Sequence, residues 1–179
     1  MNKKNNVFIA TSLDGYIADK HGGIDWLHSI PNADSNDIGY QNFMSQVDAL
    51  VMGRTTFETV CGFDIEWPYQ KPVFVLSNTW TEISNQYKDK AILLKGTLSE
   101  ILNQIHKRGF YRLYIDGGRT IQNFLKEDLI DKMIITKIPF LLGAGIPLFA
   151  ELPKRLEFKC IDSKIYLDQV VQNHFIRKR

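Results

Sequence analysis

The strongest constraint on this chain is a regular alternation between strand-like and helix-like segments. Strand-like runs lie at 7–12, 49–53, 72–77, 91–96, 113–117, 132–139, 156–167 and 170–178. Helix-like stretches lie near 34–47, 55–61, 98–108 and 119–127. Because strands that alternate with helices pair mostly in parallel and are covered on both faces, the pattern predicts an α/β fold around a mostly parallel sheet of about eight strands.

The last two strand-like runs have no helix-like stretch between them. Two neighbouring strands with a short connection pair antiparallel, so 156–167 and 170–178 are predicted to form a hairpin at one edge of the sheet. The sequence contains no repeat, low-complexity segment or linker. Its 179 residues are therefore interpreted as one domain, 1–179.

The composition is that of an ordinary globular protein, with 44% hydrophobic and 23% charged residues. A net charge of +2 does not indicate a nucleic-acid partner. The start of the chain has neither a signal peptide nor a membrane-spanning run, so the expected location is the cytoplasm, with no membrane partner. Cys160 lies in an alternating run and is predicted to be a small core residue.

The segment DALVMGRTTFETV, residues 48–60, ends a strand-like run in a glycine, an arginine and two threonines. Gly53 permits a sharp turn or a close approach to a ligand. Thr55 is predicted as a helix N-cap that forms a capping box with Glu58. Free N–H groups at a helix start attract anions, and Arg54 adds a fork suited to phosphate. Taken alone, the segment fits a phosphate site and an ordinary strand-to-helix turn equally well.

The same arrangement recurs in RLYIDGGRTIQNFL, residues 112–125, where Gly117-Gly118 and Arg119-Thr120 join a strand to a helix. Between the two segments, Ser77-Asn78 places short hydrogen-bonding side chains at the end of another strand. In a parallel sheet these three strand ends open on one edge, where ligands of open α/β sheets bind. The chain has neither a dinucleotide-binding GxGxxG motif nor a P-loop.

These segments resemble the dihydrofolate reductase superfamily. Residues 48–60 are similar to its Gly-Arg-x-Thr segment, and FIATSLDGYIADKHGGIDWL is similar to its first strand and mobile loop. Asp-Gly-Tyr-Ile, Asp-Gly-Gly and PFLLGAGIPLF are closer still to the reductase domain of the bifunctional riboflavin-biosynthesis enzyme (the RibD C-terminal domain) and its stand-alone bacterial relatives. The resemblance covers nearly the whole chain. It implies a dihydrofolate reductase-like three-layer sandwich with about four flanking helices.

The resemblance also implies NADPH as the cofactor, at the carboxyl edge of the sheet. The implied cofactor-binding residues are Ala10, Ile17, Gly53, Arg54, Thr55, Thr56, Ser77, Asn78, Gly117, Gly118, Arg119 and Thr120. Arg54, Ser77 and Asn78 would hold the 2′-phosphate, and residues 117–120 would hold the pyrophosphate. Asp116-Gly117-Gly118 stands where dihydrofolate reductases usually have three glycines.

A reductase also needs a proton source for its substrate. Aligned without gaps on Met52, the dihydrofolate reductase carboxylate falls on Asp37, which is therefore the predicted catalytic residue. Asp25 and Asp34 compete with it, although Asp34 fits a helix N-cap better. Asp14 is interpreted as a turn residue before Gly15.

The substrate is predicted from two tryptophans and from the absence of arginine in one stretch of the sequence. Trp26 and Trp67 are candidates for the substrate pocket, although large aromatics are more often core. Residues 55–107 contain no arginine, and Trp67 occupies the position expected for the arginine that grips the folate tail. An indole has one neutral donor and replaces a charged fork poorly, so folate is not the expected substrate.

The chain is therefore expected to be an NADPH-dependent reductase of a small heterocyclic or carbonyl substrate. The nearest named activity is 5-amino-6-(5-phosphoribosylamino)uracil reductase. Dihydrofolate reductase, a non-catalytic nucleotide-binding module and a small interaction protein are the alternatives, although the glycine loops argue against the last. The resemblance further suggests a homodimer.

Overall fold

The sheet predicted from the sequence is present in a computed structural model, which describes residues 2–30 and 37–179. Its strands are β1 (Lys4–Thr11), β2 (Tyr16–Ala18), β3 (Ala49–Gly53), β4 (Val73–Leu76), β5 (Ala91–Leu94), β6 (Arg112–Asp116), β7 (Lys132–Lys137), β8 (Ile146–Pro147), β9 (Phe158–Tyr166) and β10 (Val170–Arg177). The helices in the described ranges are α1 (Tyr40–Ser45), α2 (Arg54–Cys61), α3 (Leu98–Lys107) and α4 (Gly118–Lys126). Short 3-10 helices span Asp25–Ser29 and Asn85–Tyr87.

Eight strands form one sheet in the order β5-β4-β3-β6-β1-β7-β10-β9. The six strands from β5 to β7 are parallel. The strand β10 pairs antiparallel with both β7 and β9, so the predicted C-terminal hairpin at the sheet edge is confirmed. All eight strand-like runs of the sequence correspond to strands of this sheet.

The sheet lies between two helical layers, which gives the predicted three-layer sandwich. On one face, α3 and α4 pack on alternate strand residues such as Val51 and Ile115, and this cluster contains Ile105 and Phe124. On the other face, α1 and α2 contribute Phe43 and Phe57 to a second cluster with Leu50 and Met52. Neighbouring residues of β3 thus belong to opposite clusters, as expected for a strand that is buried on both faces.

A second, two-stranded sheet of β2 and β8 was not expected from the sequence. Strands of three and two residues are too short to show a period. The loop before β2 turns at Gly15, whose φ is +89°, so Asp14 is a turn residue as predicted. Its carboxylate also accepts hydrogen bonds from the backbone N–H groups of Leu142 and Gly143, at 3.2 and 2.8 Å. Asp14 thereby ties the β1–β2 loop to the loop before β8.

Two details differ from the sequence-based expectation. The helix expected near 34–47 is shorter, because Ile38 and Gly39 have φ values of +48° and +82° and prevent helical continuation before Tyr40. Residues 34–36 of that prediction, including Asp34, lie outside the described residues. Cys160 is exposed rather than buried, because β9 is the edge strand and most of its side chains face outward.

Among the helices that the structure describes, none combines the length and apolarity needed to cross a membrane.

Candidate active site

A cleft of about 960 Å³ lies across the carboxyl ends of the parallel strands. All twelve residues predicted to bind the cofactor line this cleft: Ala10, Ile17, Gly53, Arg54, Thr55, Thr56, Ser77, Asn78, Gly117, Gly118, Arg119 and Thr120. They come from β1, β2, the β4 end, and the two turns from β3 into α2 and from β6 into α4. Adjacent pairing of β3 with β6, and of β3 with β4, explains why segments distant in sequence meet at one edge.

The two strand-to-helix turns pack against each other through a glycine and a threonine from each. A Cβ atom on Gly117 would lie 2.1 Å from Oγ1 of Thr56 in α2. A Cβ atom on Gly53 would lie 3.0 Å from Oγ1 of Thr120 in α4. Gly117 also has a φ of +87°, which residues with a side chain rarely adopt. The reciprocal contact brings the first turns of α2 and α4 side by side, with their free N–H groups at the cleft.

The predicted capping box at the start of α2 is wrong. The helix begins at Arg54, one residue earlier than expected, and Gly53 precedes it without any side-chain cap. Glu58 instead lies one turn below Arg54, with 3.6 Å between Oε2 and the arginine Nε. The box occurs in α3, where Thr97 and Glu100 cap reciprocally. The uncapped first turn of α2 leaves backbone donors available to an anion at the cleft.

The side chains that follow β4 are held by local hydrogen bonds. The Ser77 hydroxyl accepts from the Trp80 backbone N–H at 3.1 Å. Oδ1 of Asn78 accepts from the Gly96 backbone N–H at 3.1 Å, which fixes the turn and leaves the amide nitrogen as its donor. Together with Arg54, these groups give one end of the cleft donors suited to a phosphate.

The small sheet lies close to the start of α4. A Cβ atom on Gly118 would lie 2.7 Å from Cδ1 of Ile17, the flexible end of a side chain on β2. Nε2 of Gln122 in α4 donates to the Pro147 carbonyl of β8 at 2.9 Å. Ile17 and Ile146 both line the cleft, so the small sheet borders the glycine turn with apolar side chains.

Asp116, the last residue of β6, also lines the cleft. Burial raises the pKa of this carboxyl to about 6, even though hydrogen bonds from the Gly117 N–H and from Tyr114 act to lower it. The Gly117 N–H donates to Oδ1 of Asp116 at 2.8 Å. A carboxyl group with this pKa exists in both protonation states near neutral pH, as a group that transfers protons requires.

Three tyrosines interact electrostatically with Asp116. The Tyr114 hydroxyl donates to the Phe8 carbonyl at 2.9 Å, and because it has a single proton it serves either that carbonyl or Asp116 at one time. Burial, and then the charge of Asp116, raises the pKa of Tyr40 to about 12 and raises the pKa of Tyr69 further. All three phenols therefore stay neutral, and Tyr69 is itself part of the cleft lining.

The other predicted site residues lie elsewhere. Asp37 is exposed, and its carboxylate accepts from the backbone N–H groups of Gly39 and Gln41 at the start of α1. Trp67 packs against Phe57 in the second core cluster, with ring centroids 5.9 Å apart. Trp26 belongs to a third cluster with Ile30, Ile138 and Val170. Neither tryptophan, nor Asp37, nor Asp25 is part of the cleft lining.

Sequence reasoning therefore missed Asp116. Its signal was present as the acidic residue directly before Gly-Gly, where dihydrofolate reductases usually have another glycine. The strand end and the glycine turn were both predicted correctly, and an acidic side chain between them has to point toward the cleft or the core. What the sequence did not reveal is that the charge of Asp116 acts on Tyr40 and Tyr69, which are distant from it in the chain, and raises their pKa values.

We expect Gly117→Ala to lower the melting temperature more than Gly118→Ala. At Gly117 the new methyl group meets Thr56 and the backbone is strained, at a cost of roughly 1–3 kcal/mol. At Gly118 only the end of Ile17 must move. Thermal unfolding of both variants and of the double variant Gly117→Ala/Thr56→Ala separates the steric clash with Thr56 from the backbone strain. Equal melting temperatures for the two single variants would contradict the reciprocal packing.

We expect Asp116→Asn to stabilise the fold above pH 6. The pKa of Asp116 is raised from 3.8 to about 6, so the folded state binds the proton more tightly, and the stability from this group is lost as the pH rises through 6. The amide avoids the buried charge, and the expected gain in unfolding free energy at pH 8 is about 1–2 kcal/mol, after allowance for the solvent that reaches the cleft. Urea titrations at pH 5 and pH 8 measure it, with the exposed Asp37→Asn as control. A gain that is no larger at pH 8 than at pH 5 would refute the assignment.

Comparison with known proteins agrees with this geometry. The family model of the RibD C-terminal domain matches residues 4–171 of this chain. A protein of Shewanella sp. PV-4, provisionally named for riboflavin biosynthesis, is 58% identical, with a TM-score of 0.95 over 98% of this chain and 99% of that one.

Two more distant structures share the fold. A Thermotoga maritima diaminohydroxyphosphoribosylaminopyrimidine deaminase/5-amino-6-(5-phosphoribosylamino)uracil reductase has a TM-score of 0.76 at 14% identity, over 99% of this chain and 57% of that one. Enterococcus faecalis dihydrofolate reductase, in complex with NADP(H), has a TM-score of 0.68 at 16% identity, over 98% and 97%. With the family model spanning nearly all of the chain and the cleft at the expected sheet edge, this protein belongs to the RibD C-terminal domain family of reductases.

Proposed function

We propose that this protein is an NADPH-dependent reductase of a small heterocyclic or carbonyl substrate. The observation that carries the proposal is the convergence, in one cleft, of two uncapped helix starts, Arg54 and the partly buried carboxyl of Asp116. A phosphate-binding module without turnover would need only the first two features. The partly buried carboxyl favours a protein that also transfers a proton.

The residues present fit a phosphorylated dinucleotide. The glycines at the two turns leave space that a side chain would fill, and the first turns of α2 and α4 supply backbone donors. The three basic side chains among the described lining residues are Arg54, Arg119 and Lys126, which belong to α2 and α4. Arg54, Ser77 and Asn78 are suited to the 2′-phosphate, and residues 117–120 to the pyrophosphate. Ala10 and Ile17 are suited to border the nicotinamide.

When bound, NADPH supplies a hydride, and the chain must supply or relay the accompanying proton. We assign the proton to Asp116, whose carboxyl faces the cleft, rather than to Asp37, whose exposed carboxylate caps α1. The neutral Tyr69 beside it adds a hydroxyl that can orient a substrate. The reductase activity in the name of the T. maritima relative is the nearest named one, and dihydrofolate reduction is the alternative.

We expect NADPH to bind at least ~10-fold more tightly than NADH, a difference of about 1.4 kcal/mol. The 2′-phosphate that NADH lacks would pair with Arg54, so Arg54→Ala should remove most of the preference. Isothermal titration calorimetry measures both affinities, and Arg155→Ala, which removes an exposed arginine that does not line the cleft, is the matched control. Equal affinities for the two cofactors in the unmodified protein would refute this assignment.

We expect Asp116→Asn to lower turnover of an aminopyrimidine substrate by about 10²-fold or more, the usual range for a general acid. In the unmodified protein, kcat/KM should fall as the pH rises through about 6, because the protonated carboxyl is the donor and its population decreases. The asparagine variant should lose this dependence. NADPH oxidation followed from pH 5 to 8 is the measurement.

The exposed Asp37→Asn is the comparison variant for that experiment. If Asp37→Asn abolishes turnover while Asp116→Asn keeps the full rate and pH profile, Asp37 is the donor and the assignment to Asp116 is wrong.

A further inference from the structure

A second cavity, of about 280 Å³, lies on the sheet face that carries α3 and α4, next to the C-terminal hairpin. The sheet contributes Thr11, Met133, Ile135, Lys137, Asn173 and Phe175 to its lining. We call it the hairpin cavity. Its described lining residues and those of the cleft at the carboxyl ends of the strands have none in common. A ligand in the hairpin cavity would therefore leave the cofactor cleft free.

The pairing of β1, β7 and β10 gives the hairpin cavity a polar end and an apolar end. Thr11 pairs with Lys137 at the carboxyl ends of β1 and β7. Toward the start of β7, Asn173 comes next, and Phe175 pairs with Met133 beyond it. Because alternate residues of a strand point to the same face of a sheet, these five side chains share one face in that order. The cavity is thus shaped for a molecule with one polar and one apolar end.

The polar end carries a positive charge without an acidic partner in the lining. Nζ of Lys137 lies 3.4 Å from the carbonyl oxygen of Leu13, in the loop after β1. The described residues that line the cavity include neither aspartate nor glutamate. The amide of Asn173 adds neutral donors and an acceptor. An anion at this end would therefore gain a charge-assisted contact and meet no like charge from these residues.

The hydroxyl of Thr11, at the same end, is buried without a partner. Thr11 is 1% exposed, and within residues 2–30 and 37–179 its Oγ1 makes no hydrogen bond. A buried polar group that makes no hydrogen bond costs folding free energy, so such a group is expected where a ligand supplies the partner. A hydroxyl can donate to a carboxylate.

The apolar end is lined by aromatic rings. Phe158, the first residue of β9, lines the cavity together with Phe175, and Phe149 lines it from the segment after β8. Such rings favour edge-to-face or offset contact with another ring. The volume is near the lower limit for ligand pockets, which suits a molecule with a single ring.

We propose that the hairpin cavity is a binding site for a small aromatic carboxylate. Its ring would pack among Phe149, Phe158 and Phe175. Its carboxylate would pair with the ammonium group of Lys137 and accept a hydrogen bond from Thr11. The proposal is independent of the proposed function, because the cavity lies outside the cleft.

Benzoate and benzamide are the matched probes, because they differ in charge but hardly in shape. Each is titrated into the isotope-labelled protein, and the backbone amide signals are followed by NMR. Benzoate should bind with a dissociation constant of about 1 mM or lower, and at least ~10-fold more tightly than benzamide. The largest shifts should occur at residues 133–137 and 173–175. Weaker binding of benzoate, equal affinities for the two probes or largest shifts at the cleft would overturn the proposal.

The contribution of the charge is tested on β7. Lys137→Met removes the ammonium group and keeps a long apolar side chain, so it should lower the affinity for benzoate at least ~10-fold and leave that for benzamide unchanged. Lys132→Met, on the same strand but outside the cavity lining, is the matched control and should change neither affinity. An equal effect of the two variants contradicts the proposal.

Thr11→Val tests the unpaired hydroxyl. The methyl group has a similar size, and no hydrogen bond is lost, so the melting temperature of the ligand-free protein should stay the same or rise. The affinity for benzoate should fall about 3-fold, because the ligand loses a donor. An unchanged affinity for benzoate contradicts the proposal.

Two competing results are distinguished by separate measurements. Phe149 and Ile165 of β9 are exposed, so a second copy of the chain is the other candidate occupant. Sedimentation velocity that shows a dimer to which benzoate does not bind would overturn the proposal. Saturating NADPH should leave the affinity for benzoate unchanged, and competition between the two would place benzoate in the cleft and overturn it as well. Failure of NADPH to bind would count against the proposed function alone.

Discussion

The reciprocal contact between Gly117 and Thr56, and between Gly53 and Thr120, is the constraint on which the rest of the site depends. Neighbouring parallel strands are separated by about 4.8 Å, so two helices that start from their ends cannot begin side by side unless one residue in each turn is small. The two glycines meet this requirement, and each accommodates a threonine from the opposite helix. This packing places two sets of free N–H groups at one cleft, and it does so without side-chain caps that would occupy those donors.

Asp116 lies directly before the Gly117 turn, and the position of its carboxyl is unfavourable to the charged form. Burial of its carboxyl opposes ionisation, while the Gly117 N–H and Tyr114 favour the charged form, and burial is the larger effect. Such a group reduces stability above pH 6, which is the usual behaviour of residues kept for chemistry rather than for folding. The site thus combines a half lined by two uncapped helix starts with a half in which one carboxyl is poised between its two protonation states.

The part of the cleft lining that comes from β2 and β8 is formed, by contrast, by two very short strands. The sheet of β2 and β8 has few residues, and it is held by the Asp14 contacts to residues 142–143 and by the Gln122 contact to β8. Because its apolar side chains border both Gly118 and the cleft, small shifts of this sheet would change how a ligand is covered.

The sequence by itself determined the strand and helix order, the antiparallel C-terminal hairpin, and the residues that meet at the carboxyl edge of the sheet. These follow from local periodicity, from glycine at strand ends and from the rule that parallel strands open on one edge. Only the tertiary structure decided the start of α2, the exposure of Cys160 at a sheet edge and the packing of the half-buried Trp26 and Trp67 against the core. It also showed that Asp116 lines the cleft and that Asp37 is exposed at the start of α1. The physical reason is that the pKa of a carboxyl group depends first on its burial, which the packing of distant segments sets and which no local pattern specifies.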